Sequence, residues 1–110
     1  MAPELYRIKY ADRPDELLVA LGKFVNYVRS SPVISLLPSG LHEISARDAN
    51  DVAAWEDRID RILHDTLPLN ASARFWLNEI DEVFKAARHR LDELVRNGVQ
   101  TPPGTGATLH

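Results

Sequence analysis

A chain of 110 residues fits one domain, and its 45% hydrophobic and 26% charged residues describe a globular protein rather than a disordered one. The net charge of −3, from 13 Lys and Arg against 16 Asp and Glu, argues against a protein that coats nucleic acid. The absence of cysteine excludes disulfides, thiolate catalysis and every cysteine-containing metal site.

Residues 5–10 alternate, so that Tyr6, Ile8 and Tyr10 would share one face of a strand and Arg7 and Lys9 the other. A lone strand leaves its own backbone groups unpaired. The alternation therefore predicts an extended N-terminal arm over residues 1–11, which as a strand would have to pair with another chain or its symmetry mate, with a short helix started by Pro3 and Glu4 as the alternative.

The first main helix is predicted over 13–30. Asp12 is placed to cap it, Pro14 lies in its first turn, and Asp15 and Glu16 complement the positive end of the helix dipole. Its core stripe is Leu17, Leu18, Leu21, Phe24, Val25 and Val28. Gly22 interrupts it, which predicts close approach of another backbone or ring. Pro32 ends the helix by constraining the residue before it.

The 32–44 segment has turn chemistry at Pro38, Ser39 and Gly40 but more aliphatic residues than a solvated loop. It reads as a short helical lid, with an exposed docking segment as the alternative. A second helix is predicted over 47–65, capped by Ser45 or Asp48, with a seam of Val52, Trp55, Ile59 and Ile62. The connection over 66–70 is short, so the second and third helices should form an antiparallel hairpin.

The third helix, 71–97, is the strongest element. Asn70 is its natural cap, Ala73, Leu77, Ile80, Phe84, Ala87, Leu91 and Leu94 recur at steps of four and three, and Gly98 supplies the stop. Residues 99–110 read as a flexible tail. The predicted fold is thus all-α: a small antiparallel bundle of three main helices, a helical lid and an extended arm, within one domain over 1–98.

Chemistry is poorly provided for. Asp57, Asp60 and His64 share a helical face but lack ligands from a second helix, and Lys85 stands where Glu82 would need a histidine to form a Glu-x-x-His motif. No serine lies in a nucleophile elbow, and Gly104 and Gly106 have no phosphate-loop context. No cofactor, metal or small-molecule substrate is expected. Arg58 and His64, with five residues between them, resemble the short Arg–His motif of HEPN-type ribonucleases, although Ile59 replaces the polar residue usual after the arginine. The resemblance implies Arg58 stabilising an RNA phosphate while His64 moves a proton. A second alternative is a nucleic-acid-binding regulator using Arg74, Arg88, Arg90 and Arg96.

The favoured expectation is non-catalytic. The third helix carries more apolar surface than one neighbour covers; the first main helix is the first candidate to cover it, and because a domain of this size buries only about two-thirds of its unfolded surface, a second copy, as a homodimer, or a different protein is expected to take the rest. The residues assigned to that contact are Phe75, Trp76, Val83, Leu91, Leu94 and Val95, with Tyr6 and Tyr10 of the arm. The end of the third helix should project past the shorter ones. Without a basic leader or about 18 consecutive apolar residues, a soluble cytoplasmic setting is expected, with no membrane contact.

Overall fold

The computed structural model describes residues 3–65 and 69–98, and they are all-helical. Residues 66–68 of the anticipated 66–70 connection, and the anticipated 99–110 tail, lie outside the described residues. Four α-helices, α1 (Pro3–Lys9), α2 (Pro14–Ser30), α3 (Ala49–His64) and α4 (Ala71–Arg96), pack around one core, with two 3-10 turns, Pro32–Leu36 and Ser39–Leu41, between α2 and α3.

The N-terminal segment is a helix, not an extended arm. Leu5 and Ile8, three apart, are buried, while Tyr6 and Tyr10, four apart, point outward with ring centroids 4.7 Å apart. The helix satisfies its own amides, as in the Tyr10 N–H bond to the Tyr6 carbonyl, which a strand with no neighbouring ladder would leave unpaired. α1 packs on both α2 and α4. Arg90 Nε donates to the Ala11 carbonyl at 2.8 Å, fixing the end of α1 against the C-terminal half of α4.

α2 buries Leu17, Ala20, Leu21, Phe24, Val25 and Val28. Its cap position is Arg13 rather than Asp12 and makes no side-chain cap bond; Pro14, which needs no amide partner, opens the helix instead. Ser31 joins α2 to the lid, donating to the Val28 carbonyl and accepting from the Val33 amide, each at 3.2 Å. A Cβ added at Gly22 would meet nothing within 4 Å, so the close approach expected there is absent. Gly22→Ala should therefore stabilise the protein by about 0.5–1 kcal/mol, since alanine restricts the unfolded chain and favours the helix. A raised urea midpoint checks this; a lowered one would mean that the glycine is needed.

The lid covers the core. Leu37, Leu41 and Ile44 are buried, Val33 and Ile34 are half-buried against the cluster, and the first 3-10 turn touches α2 and α4. Asp48 caps α3 by accepting from the Asp51 amide at 2.9 Å. Asp51 Oδ2 gathers Ser45 Oγ at 3.2 Å and the Arg47 amide and Nε at 2.9 Å each, so one carboxylate organises the entry to the helix. The Arg47 hydrogen bond holds the Asp51 carboxyl below its ordinary pKa.

α4 buries the whole of its predicted seam and Val83 as well. Asn70 caps it through the Ala73 amide at 2.8 Å, and Gly98, with φ of 81°, follows its end. Against α3, Arg88 meets Glu56 at 2.7 Å and Lys85 meets Asp60 at 2.6 Å, so residue numbers run in opposite senses along the two helices. Lys85 also bonds Asp81 at 2.6 Å, while Asp81 Oδ1 is buried without a hydrogen-bond partner.

Burial, followed by the nearby Asp60 carboxylate, raises the Asp81 pKa, whereas Lys85 lowers that of Asp60. A raised carboxyl pKa in the fold contributes stability at low pH that is lost as pH rises through the folded value. Asp60 acts in the opposite sense, losing its contribution as pH falls. Asp81→Asn should consequently gain on the wild type from about pH 4 upward, by about 1 kcal/mol or less, the amide keeping the shape without the charge. Urea titrations across that range check the sign; a gain confined to acid pH would contradict it.

Candidate interaction surface

Helical spacing puts Val19, Lys23 and Tyr27 on the outward face of α2, opposite the buried stripe. α1 lies alongside and presents Tyr6 and Tyr10 to the same side. Among the described residues the large apolar side chains most open to solvent are Tyr6 (69%), Tyr10 (65%) and Val19 (60%), and Tyr27 is exposed as well. A groove of about 490 Å³ runs between the two helices, with Tyr6, Tyr10, Val19 and Ala20 in its walls. Arg7 and Lys23 supply positive charge to its rim, and Asp15 and Glu16 negative charge. Asp15 is paired with Arg13 at 3.1 Å; Glu16 and Lys23 are exposed and make no ion pair among the described residues.

This combination of rigid aromatic side chains, an aliphatic centre and a mixed-charge rim suits a protein contact. The sequence drew attention to Tyr6 and Tyr10. It passed over Val19, Lys23 and Tyr27, although a valine at the centre of an otherwise polar helix face was the available signal.

The remaining residues assigned to a partner surface divide. Val83, Leu91 and Leu94 are buried in the core of the single chain and are not part of its surface. The surplus on α4 is covered internally because the first residues form a helix that packs on it, and Leu91 and Leu94 near the α4 end are buried rather than projecting. Phe75 and Val95 remain exposed. Trp76 is half-buried against the core and meets Phe75 edge to face, with ring centroids 5.3 Å apart.

Arg58 and His64 are six residues apart on one helix, which turns their side chains about 120° from each other. Arg58 lies over the Trp55 ring, 4.5 Å from its centroid, and His64 Nδ1 is 2.8 Å from the Asp60 carbonyl. Both side chains are thus held by their own helix, and neither lines the groove. Asp57 is paired with Arg61 at 2.6 Å, and no three His, Asp or Glu residues among those described come together as a metal-binding group.

Of the four arginines considered for nucleic acid, Arg88 is bonded to Glu56, and Arg90 to Ala11 and Glu93, while Arg74 and Arg96 are exposed. Two of the four charges therefore serve the fold. Among the described residues no helix is long and apolar enough to cross a membrane. Comparison with protein-family models, with curated proteins and with solved structures gives no match to this chain.

Proposed function

We propose that this protein is a non-catalytic interaction module, a small regulator that works by protein–protein contact through the outward face of α1 and α2. The observation that carries the reading is the clustering of Tyr6, Tyr10 and Val19, the three most exposed large apolar side chains among the described residues, around one groove. Apolar side chains gathered in this way mark binding surfaces more often than the same residues scattered singly. The internal pairing of Arg58, His64, Asp57 and Asp60 supports a non-catalytic role, because each has a structural partner that competes with substrate.

A photoreactive phenylalanine analogue introduced in cells at Tyr6 or Tyr10 tests it. Covalent adducts are expected at both positions and not at exposed Arg61 on α3, with the adduct mass identifying what was bound. A chain that remains uncrosslinked at Tyr6 and Tyr10 would overturn the reading.

A further inference from the structure

We infer that the occupant of this face is a second copy of the same chain, docked antiparallel along α2 about a two-fold axis beside Val19. The inference rests on the reading of α1 and α2 as the contact surface and adds the partner and its register.

The argument is one of charge order. Along the outward face of α2 come Glu16, Val19 and Lys23, spaced at helical steps so that all three look the same way. Glu16 and Lys23 are seven residues apart, about 10 Å along the axis, so each stands about 5 Å from their midpoint. An antiparallel copy reverses that order. Glu16 of each chain then faces Lys23 of the other, and the two Val19 side chains meet between the reciprocal pairs. A parallel copy would put like charges together.

An isologous dimer requires such a self-complementary patch. Neither charge has an ion-pair partner within the described part of the chain, so both are available. In this register Tyr27 of one copy stands opposite Asp12 in the turn between α1 and α2 of the other, next to Tyr10. The exposed aromatic residues thus flank the charged centre and shield it from water, the arrangement that makes central contacts count most.

The test is a charge exchange measured by sedimentation equilibrium and native mass spectrometry, with helical content followed by circular dichroism. Wild type is expected to be a dimer at about 100 μM, well above a micromolar Kd. Glu16→Lys and Lys23→Glu each set like charges face to face and should weaken self-association about tenfold or more. Mixed in equal amounts, the two variants should form a heterodimer of near wild-type affinity, because the first then presents a lysine at both positions to a glutamate at both positions of the second.

A wild-type monomer at that concentration, single variants that dimerise undiminished, or a mixture that stays monomeric would each overturn the inference. Both substitutions are on exposed positions, so a folded variant is expected. If the inference falls while the analogue at Tyr10 crosslinks to a different protein, the broader reading of the surface survives; if no adduct forms, both fall.

Discussion

Ile8→Asp is expected to destabilise the protein by about 3 kcal/mol or more, by forcing α1 off the bundle. Ile8 is fully buried, and an unpaired carboxylate at that point is costly enough that the helix should release rather than hold it inside. Release exposes Leu5 and Ile8 together and uncovers the part of α4 beside Arg90, with each large aliphatic side chain worth about 1.5–3 kcal/mol. The urea midpoint and the hydrogen-exchange protection of the α1 amides should fall together. Ile8→Val, by contrast, should cost only about 0.5–1.5 kcal/mol. Indifference to both changes would restore the free arm that the alternating pattern of residues 5–10 suggests.

Phe84→Ala should be about as damaging, at about 3–5 kcal/mol against a total of about 5–15 for a domain of this kind. Phe84 is the largest fully buried side chain among the described residues and sits on α4, the helix that α1, α2, α3 and the lid all contact. Its removal leaves a void in the core. Phe84→Leu keeps most of the volume and should cost less than about 1.5 kcal/mol. Denaturation with an unchanged slope would assign both losses to the native state, whereas a loss below about 1 kcal/mol for the alanine would mean that the core collapses around the gap.

The contrast between α4 and α1 explains what was legible in the sequence. α4 is long, carries a sustained seam, and begins and ends in residues with a single structural meaning, Asn70 and Gly98, so its pattern admits one solution. Residues 5–10 admit two. Tyr6, Ile8 and Tyr10 fit a period of two, while Leu5 with Ile8 and Tyr6 with Tyr10 fit a helix. Packing against a helix at the other end of the chain decides between them, and no local window contains that contact.

The same ambiguity displaced the expected surface. Surplus apolar residues on α4 require a cover, and a one-dimensional pattern does not distinguish an internal cover from a second molecule; here the cover is internal for Val83, Leu91 and Leu94. Once α1 is a helix, its outer residues and those of α2 become adjacent, and the groove at Tyr6, Tyr10 and Val19 exists only because of that adjacency. The expectation at Gly22 failed for a simpler reason. A glycine in a helix signals either close packing or mere tolerance, and only the neighbouring atoms discriminate.

The Arg90 bond to Ala11 joins residues 79 apart in sequence, and this sets an order on synthesis. At a translation rate of about 5–20 residues per second, the acceptor waits roughly 4–16 s before its donor has been made. During that interval α1 and α2 can pair with each other, but α1 has no α4 to pack against. The nascent chain therefore carries an open apolar face on α1 until α4 has been made, and α4 is the helix that seals it.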